Sequence, residues 1–431
     1  MKHTPLHDWH RAAGANMSEF ASYSMPLWYP EGVKKEHEGV IESCGLFDTS
    51  HMAAILVEGD GARQLLQRTF TKDLRHCRGV GKPLMEGRCV YGVFLNEKGH
   101  VIDDAIVYQK DDGCYLVVVN ASMGGVIAGH LAGFNISAVL RITDMTDRLG
   151  KIDVQGPSAA KVVKGLLADP LRVLATMPYF SFKGWFERDG AADETLCCGD
   201  IPVLLSRTGY TGEFGFEIFT APRYLQKIWQ AILEEGGERV RPCGLAARDS
   251  LRTGAVLPLS HQDIGNWPFL RNPWQFALPP TENGKFSKGF VGSEALEAAT
   301  DCHFTYAFAG YDPRKIPPGG RDGVVDARGR VLGRILSCTT DMAIDRVDGG
   351  IVSMATAIED GRPADFKARG LCCGFVRVRS ELDFGETVYL TDGSRRIRVE
   401  IRRDIRPDRT ARCSIKKMLQ MPEEEENERA R

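Results

Sequence analysis

Five prolines between positions 257 and 285 divide this chain into two regions of different character. They stand at positions 258, 268, 273, 279 and 280. Proline interrupts helices beyond their first turn and cannot donate a hydrogen bond in a central strand, so the stretch is predicted to be an irregular connector. We therefore expect a domain boundary here or just after it, and the two flanking regions can be considered separately.

The region before the connector alternates between strand-like and helical patterns, which predicts an α+β fold. Apolar runs typical of strands occur at 54–57, 115–120 and 203–206, whereas 61–68 and 223–235 have helical patterns. We find no internal repeat of fixed period, and no regular βαβ succession with a glycine fingerprint after its first strand. A Rossmann domain is therefore disfavoured.

The region beyond Cys302 has short strand-like runs separated by turns that contain glycine and aspartate, at 319–320, 348–350 and 392–393. This pattern predicts a small all-β barrel. The predicted division is an α+β region over 1–285, a connector over 286–302, a C-terminal β-barrel domain over 303–420 and a charged tail over 421–431. Four consecutive glutamates, 423–426, repel one another in that tail, which is expected to fray.

The charge balance argues against partners that are attracted by a global electrostatic field. The chain has 55 Lys and Arg against 57 Asp and Glu, so neither nucleic acid nor an anionic membrane is an expected partner. Polar residues such as His3, His7 and Asp8 follow Met1 where a signal peptide would be apolar, and no run approaches the roughly 20 apolar residues that span a bilayer. These features predict a cytoplasmic protein.

The twelve cysteines are scattered along the chain and do not predict a metal site. Two adjacent pairs, Cys197–Cys198 and Cys372–Cys373, lack the two-residue gap that lets both thiolates bind one zinc ion. In a cytosolic chain of this size they are expected to be reduced and mostly buried.

Four short segments, in a fixed order along the chain, contain residues suited to catalysis or ligand binding. They are TPL at 4–6 leading to FDTSHM at 47–52, the stretch 96–107, RTGYTGEFGFE at 207–217, and CGLAARDSLR at 243–252. Together they resemble the glycine cleavage T-protein (aminomethyltransferase) family, whose patterns are TPL, FDVSHM, GG(V/I)(I/L)DDL(I/V)V, RTGYTGEDGFE and GLGARDxLRLE. A weaker match is KGFVGSEAL at 288–296.

The resemblance implies both a fold and an activity. The implied fold has two interleaved α+β domains within 1–285, followed by a C-terminal β-barrel domain, arranged around a central site for the cofactor tetrahydrofolate. The implied activity is tetrahydrofolate-dependent one-carbon transfer, and aminomethyltransferase is its first candidate.

The paired aspartates Asp103 and Asp104 include the candidate catalytic residue. Strand alternation sends them to opposite faces, so only one is expected to point inward, and the residues alone are equally consistent with a solvated pair. The resemblance implies that Asp104 lies beside the reactive nitrogen of folate, where a carboxylate orients the cofactor and stabilises developing positive charge. It also implies that Tyr91 contacts the folate, although an aromatic residue in a strand is more often part of the core.

The glycine-rich loop at 207–217 contains two further candidates. Its three glycines in seven residues permit positive φ and a tight loop against a ligand, or equally a plain hairpin connection. The resemblance implies that Tyr210 stacks near the pterin and that Glu217 accepts hydrogen bonds from the amino-pyrimidine edge. Phe214 stands where the family commonly has an acidic residue, so the outer surface of the loop is expected to differ.

Arg248 and Arg252 lie on one face of the predicted helix that begins at 244, at i and i+4. Arginines on a helix are usually solvated, but the resemblance places Arg248 against folate, where a planar guanidinium can hold a carboxylate or a ring carbonyl. Ser50 and His51 are weaker candidates, because a histidine beside apolar residues is more often structural than catalytic.

The resemblance weakens after Arg252. The family usually continues LEAGxxLYGxD, whereas residues 253–263 read TGAVLPLSHQD and lose the glutamate and the tyrosine. Residues 264–274 are more aromatic than the usual connector, and an extra segment is expected around 341–369. The pocket for the one-carbon donor is therefore expected to differ.

Three functions follow, in decreasing order of preference. The first is aminomethyl transfer, in which a lipoyl-carrying H-protein delivers the carbon to tetrahydrofolate and ammonia is released. The second is a tetrahydrofolate-dependent demethylase or methyltransferase that acts on a small methylated compound. The third is a non-catalytic folate-binding accessory protein. The signature of such relatives, roughly KGCYxGQE, is absent at 257–264, and Asp104 is present, so this function ranks last.

Overall fold

A computed structural model describes residues 1–77, 79, 81–187, 195–300, 303–319 and 323–420, so the predicted tail at 421–431 and part of the predicted turn at 319–320 lie outside the described residues.

The α-helices are α1 His7–Ala12, α2 Val33–Glu42, α3 Ala62–Thr69, α4 Gly124–Phe134, α5 Ala159–Leu166, α6 Pro170–Leu174, α7 Leu225–Gly236, α8 Leu245–Gly254, α9 Ser293–Glu297 and α10 Ile415–Gln420. The first twelve strands are β1 Lys2–His3, β2 Asn16–Phe20, β3 Tyr23–Trp28, β4 Cys44–Asp48, β5 Ala53–Glu58, β6 Arg88–Leu95, β7 Val101–Asp111, β8 Cys114–Val119, β9 Arg141–Asp144, β10 Gly150–Gln155, β11 Phe182–Gly184 and β12 Leu204–Ser206. The remaining strands are β13 Gly215–Thr220, β14 Val240–Pro242, β15 Thr281–Glu282, β16 Lys285–Phe286, β17 Phe304–Gly310, β18 Gly323–Val325, β19 Val331–Asp341, β20 Ile344–Val347, β21 Gly350–Ser353, β22 Leu371–Val378, β23 Thr387–Thr391 and β24 Arg396–Arg402.

A six-stranded sheet with the order β11-β12-β13-β10-β4-β14 forms the first layer. Its neighbours are antiparallel except for β14, which pairs parallel with β4. Helices α5 and α7 pack on it, and α7 buries Leu225, Ile228, Trp229 and Ile232 at the spacing that places apolar side chains on one helical face.

A five-stranded antiparallel sheet, β6-β7-β8-β5-β9, is built entirely from the chain between β4 and β10. One of its faces, with Ile55 and Val57, is covered by α3 and α4. The alternate residues Ala54 and Leu56 face the six-stranded sheet, where they pack with Phe219. The insertion of one sheet into the chain path of the other confirms the predicted α+β class with two interleaved parts.

The C-terminal region closes into a six-stranded barrel with the order β17-β22-β19-β18-β23-β24, which confirms the predicted barrel. Phe308, Ile335, Val376 and Val399 are among the apolar residues that fill it. The predicted turns at 348–350 and 392–393 connect β20 to β21 and β23 to β24. The predicted extra segment at 341–369 therefore contains a hairpin, β20–β21, that is additional to the barrel.

The proline-rich stretch 257–285 is irregular, as predicted, but it is firmly packed. It contains a short 3-10 turn, Gln275–Ala277, and the paired two-residue strands β15 and β16. Trp274 is buried, contacts the ring of Phe375 in the barrel at 5.0 Å between centroids, and donates its indole N–H to the carbonyl of Val256. The connector thus ties the barrel to the end of α8.

Lys288, the first residue of the weakly matching segment, has a structural role at the end of α3. Its ammonium group donates to the carbonyl oxygens of Gln67, Phe70 and Lys72 at 2.7–3.0 Å. A cation at a helix C-terminus satisfies carbonyls that have no partner within the helix. Burial lowers the pKa of Lys288 to about 7.

Four buried side chains, His37, Glu213, Asp341 and Arg406, join the barrel to the rest of the fold, and we refer to them as the Arg406 cluster. Arg406 lies 2.5 Å from Asp341 and 3.3 Å from Glu213, and the other carboxylate oxygen of Asp341 lies 3.0 Å from Nε2 of His37. Burial by itself would raise the pKa of Asp341, but Arg406 and His37 outweigh it and hold that pKa well below its usual range.

No helix in the part of the chain that the structure describes is long and apolar enough to cross a bilayer.

The Arg406 cluster leads to a prediction about stability. Asp341→Asn removes one of the two carboxylates that pair with the buried guanidinium of Arg406. The free energy of unfolding is therefore expected to fall by about 3–5 kcal/mol at pH 7. Urea denaturation measures this change. The pKa of Asp341 is lower in the folded protein than in the unfolded chain, where it is about 3.9. The contribution of Asp341 to stability is therefore present above about pH 3.9 and is lost as pH falls below that value.

The matched control is Asp112→Asn, which removes a carboxylate that is 94% exposed and 2.9 Å from Arg63. This change is expected to shift the free energy of unfolding by less than about 1 kcal/mol. Equal losses in the two variants would show that the Arg406 cluster does not stabilise the fold.

Candidate active site

Asp104 and Tyr91 are brought together by the antiparallel pairing of β6 and β7, in which Tyr91 lies opposite Ile106. The phenol of Tyr91 donates to one oxygen of Asp104 at 2.9 Å, and the amide of Asn120 donates to the other at 2.6 Å. Asp103 is fully buried whereas Asp104 is partly exposed, in agreement with strand alternation. Asp104 is therefore a carboxylate held by two neutral donors.

Asn120 also bridges the two aspartates, which the sequence did not predict. It follows β8 directly, and its backbone N–H and side-chain amide donate to the two oxygens of Asp103 at 2.9 and 2.8 Å. Burial and then the charge of Asp103 raise the pKa of Asp104 to about 7, against the hydrogen bonds from Tyr91 and Asn120 that lower it. Burial likewise raises the pKa of Asp103. The two carboxylates therefore titrate as a pair.

Glu217 and Arg248 stand at the two ends of a chain of four charges, of which all but Arg248 are buried. Lys151 on β10 lies 2.5 Å from Glu217 on β13 and 2.5 Å from Asp153, and Asp153 in turn lies 2.7 Å from Arg248 on α8. The β10–β13 register, in which Asp153 faces Glu217, fixes this order. Burial would raise the pKa of Asp153, but Lys151 and Arg248 keep it below its usual value.

Lys151 and Asp153 were not among the residues that the sequence predicted for the site. The signal available was the pair of charges at i and i+2 in the strand Gly150–Gln155, which places both on one face of a strand that the structure buries completely. Glu217 completes the arrangement by accepting hydrogen bonds from Thr208 and Tyr108.

Tyr210 joins the two groups of site residues. The guanidinium carbon of Arg248 lies 4.9 Å from the centre of its ring, and its phenol donates to the carbonyl of Pro258. Burial raises the pKa of Tyr210. Three residues after Pro258, Nε2 of His261 lies 3.7 Å from Asp103, the neighbour of Asp104. The structure therefore gathers Tyr91, Asp104, Tyr210, Glu217 and Arg248 into one region.

Glycines in the loop 207–217 permit a positive φ and leave room for a neighbouring side chain. Gly212 has a positive φ of 80°, whereas Gly209 is required because a Cβ there would lie 2.0 Å from the side-chain oxygen of Gln155. The expectation that Phe214 lies on the outer surface of the loop is wrong. Phe214 is fully buried in the core and packs 3.8 Å from the guanidinium carbon of Arg207.

His51 is buried against the rings of Phe20 and Tyr23, close to Arg248. Burial, and then the cation Arg248, lower the pKa of His51 to about 4, so its imidazole is neutral near pH 7. Arg252, the other arginine of the predicted helical face, is also fully buried, where it pairs with Asp263.

The lost glutamate of the segment 253–263 has a structural counterpart. It would stand at Gly254, where a Cβ would lie 1.7 Å from the carboxylate of Asp341. The carboxylate of Asp341, which begins the extra segment 341–369, therefore occupies the space that a side chain at 254 would need. The segment 253–263 thus lies against the first residue of the segment 341–369.

Within the residues that the structure describes, no group of three or more His, Cys, Asp or Glu side chains could hold a metal ion, and the eleven cysteines among them form no disulfide bond.

Comparisons with known proteins agree on one family. The model of the GCVT N-terminal domain matches residues 6–267. The aminomethyltransferase of Desulforamulus reducens is 34% identical over 348 residues, which cover 79% of this chain and 86% of the relative. That of Shouchella clausii is 32% identical over 379 residues, covering 85% and 94% of the two chains. The crystal structure of glycine cleavage system aminomethyltransferase T from Bartonella henselae matches with a TM-score of 0.71 at 25% identity, and covers 93% of this chain and 96% of that one.

The chain of buried charges leads to a second prediction about stability. Lys151→Met removes the only cation that lies within 4.0 Å of Glu217 among the described residues, and one of the two partners of Asp153. Breaking a buried ion pair on one side leaves an uncompensated charge, so the free energy of unfolding at pH 7 is expected to fall by about 3–5 kcal/mol in urea denaturation.

Lys227→Met provides the control for this variant, because its ammonium group is 60% exposed and lies 3.9 Å from Asp200. It is expected to change the free energy of unfolding by less than about 1 kcal/mol. If Lys151→Met proved as stable as the parent, Lys151 would not be the counter-charge of the site.

Proposed function

The chain belongs to the GCVT family of aminomethyltransferases and is a one-carbon transferase of that type, and we propose that Asp104 is its catalytic carboxylate and that tetrahydrofolate is its cofactor. The proposed cofactor-binding residues are Tyr91, Asp104, Tyr210, Glu217 and Arg248. One observation carries this proposal. Asp104 is a partly exposed carboxylate of raised pKa, held by Tyr91 and Asn120, in the region where the five residues meet.

The residues of the site fit a folate in their remaining hydrogen-bonding capacity. Each oxygen of Asp104 accepts one hydrogen bond and retains a further acceptor position. Arg248 contacts Asp153 through Nη1, and its other N–H groups have no partner among the described residues. The rings of Tyr91 and Tyr210 provide aromatic surface between these polar groups. Charged, polar and aromatic groups are thus available for a pterin.

When bound, tetrahydrofolate supplies the nucleophilic ring nitrogen that accepts the carbon. Glu217, Arg248, Tyr91 and Tyr210 would hold the cofactor in place, and Asp104 would face that nitrogen. A preorganised carboxylate in a partly dry site stabilises positive charge that develops during transfer, and it does so without forming a covalent bond. Lys151 and Asp153 support this arrangement because their ion pairs fix the side chains of Glu217 and Arg248.

We further propose that the donor is the aminomethyl group carried by a lipoyl-bearing H-protein, with release of ammonia. The relatives named above are aminomethyltransferases, and this favours that donor. The altered segment 253–263 favours a second candidate, a tetrahydrofolate-dependent demethylase of a small methylated compound. Turnover with tetrahydrofolate and either aminomethylated H-protein or a panel of methylated small molecules distinguishes the two. A non-catalytic folate-binding accessory protein would turn over neither.

The domain division at 285, 302 and 420, a cytoplasmic location, and the expectation of neither nucleic-acid nor membrane partners stay predictions from the sequence.

Tetrahydrofolate binding is the first test of the proposal. A ligand at 100 times its dissociation constant stabilises the native state by about 2.7 kcal/mol, which is expected as a rise in thermal midpoint with reduced folate. Isothermal calorimetry should give a micromolar dissociation constant. Absence of both heat and stabilisation with any reduced folate would remove the basis of the proposal.

The role of Asp104 is tested by Asp104→Asn. The amide keeps the shape of the side chain and its hydrogen bonding but removes the negative charge, so folate binding should largely persist. Turnover should fall by a factor on the order of a hundred or more. Single-turnover rates at saturating folate isolate the chemical step, because a binding defect is overcome there.

Asp103→Asn serves as the internal comparison for Asp104→Asn, since Asp103 is fully buried and shares the amide of Asn120. It is expected to affect stability or folate positioning more than the rate of transfer. If Asp104→Asn transferred carbon at the parent rate while Asp103→Asn did not, the assignment of the two aspartates would be reversed. Parent rates in both variants would rule out a carboxylate role.

A further inference from the structure

His261 adopts a backbone conformation that is uncommon for residues other than glycine. Its φ is 65°, in the left-handed region that favours glycine, and Val256 in the same loop has a φ of 59°. In the family pattern LEAGxxLYGxD, aligned on residues 253–263, these two positions are the two glycines. A side chain retained where glycine would relieve strain indicates that the side chain itself has a use.

The loop that carries His261 is fixed on both sides. Before it, the carbonyl of Pro258 accepts the hydrogen bond from Tyr210. After it, the carbonyl of Gly265 accepts the backbone N–H of Val101, at the start of the strand that contains Asp103 and Asp104. The loop therefore spans the distance between two parts of the proposed active site, and His261 lies at its middle.

The imidazole of His261 is directed at the aspartate pair. Its Nε2 lies 3.7 Å from Oδ1 of Asp103, and its side chain is 52% exposed whereas that of Asp103 is fully buried. His261 is thus in contact with solvent and with a carboxylate that solvent does not reach.

Four other buried carboxylates have a close basic partner. Asp153 pairs with Lys151 and Arg248, Glu217 with Lys151, Asp263 with Arg252, and Asp48 with His10. Asp103 and Asp104 have the neutral donors Asn120 and Tyr91. Among the described residues, His261 is the only basic side chain within 4.0 Å of either of them.

We propose that His261 is a positioning residue that acts through Asp103. As an imidazolium it holds the Asp103 carboxylate ionised, and it thereby sets the pH below which the Asp103–Asp104 pair takes up a proton. This proposal rests on the proposed function, in which an ionised Asp104 supports carbon transfer. The expected result is an acidic limit of turnover that depends on His261.

The direction of the effect follows from the charges. Two coupled carboxylates resist ionising together, and a nearby cation offsets that repulsion. An imidazolium at position 261, 3.7 Å from Asp103, supplies such a cation. Without His261 the pair must therefore protonate at a higher pH.

The other titratable groups around this loop do not replace His261. Asp263, on the same loop, is bound to Arg252 of α8. His100, at the start of β7, contacts the side chain of Asn266, and Tyr210 donates to Pro258. None of these groups supplies a positive charge to Asp103 within 4.0 Å in the described part of the chain.

The experiment compares His261→Asn with the parent in two measurements. Asparagine tolerates the left-handed conformation, so the backbone is kept while the ionisable ring is removed. The pH profile of the single-turnover rate should show its acidic limb moved upward by about one pH unit, with a rate near pH 8.5 within about threefold of the parent. The carboxyl ¹³C resonances of Asp103 and Asp104 in the protein without cofactor, assigned with Asp103→Asn and Asp104→Asn, should titrate at correspondingly higher pH.

Two further variants separate the charge from the backbone. His261→Lys supplies a cation throughout this pH range and should move the acidic limb and the carboxyl titration downward. His261→Gly relieves the backbone and should behave like His261→Asn. His76→Asn is the matched control, because His76 is 45% exposed and lies 3.0 Å from a carboxylate, Asp73, outside the proposed site. It should leave both measurements unchanged.

An unchanged carboxyl titration in both His261→Asn and His261→Gly would overturn the proposal. If the parent showed no turnover with any donor, the proposed function would fail, but the carboxyl titration would still decide the role of His261. A shift in that titration would support the proposal, and its absence would reject it.

Discussion

The buried guanidinium of Arg406 is the contact on which the geometry of the site depends. It pairs with Asp341 of the barrel and with Glu213, and it donates to the backbone carbonyls of Thr211 and Leu251. Thr211 is next to Tyr210, and Leu251 lies on the helix that carries Arg248. A single planar group with five donors therefore sets the positions of the barrel, the glycine-rich loop and helix α8 relative to one another.

The site itself is built on a second kind of constraint, the compensation of buried charge. Burying an ion costs several kcal/mol unless a partner and hydrogen bonds offset the lost hydration. Glu217, Lys151, Asp153 and Arg248 alternate in sign, so that each inner charge is held from both sides. This arrangement fixes the side chains that are proposed to hold the cofactor. The Asp103–Asp104 pair has only His261 as a basic neighbour within 4.0 Å among the described residues, and burial raises the pKa of both carboxylates.

The sequence predicted those features that depend on local pattern. Proline positions indicated the connector, alternation indicated the strands, and ordered motifs indicated Tyr91, Asp104, Tyr210, Glu217 and Arg248, which the structure brings together. It did not predict Asn120, Lys151 or Asp153, because each acts across a sheet or from another strand and none forms a motif. The outer surface of the loop 207–217 was expected to differ because Phe214 replaces an acidic residue, but Phe214 is apolar and is buried in the core, where it packs against the guanidinium of Arg207.

The structure gives the surroundings of the residues that depart from the family pattern, which the sequence alone does not show. Gly254 replaces a glutamate in the pattern, and the carboxylate of Asp341 fills the space, so the negative charge is supplied by the barrel instead of the helix. Val256 and His261 replace two glycines and keep backbone conformations that glycine adopts freely. Of these changes, His261 lies beside Asp103 and Gly254 lies beside Asp341, whereas the proposed cofactor residues keep the pattern. The departures therefore change the loop that contacts Asp103 and leave the proposed cofactor residues in place.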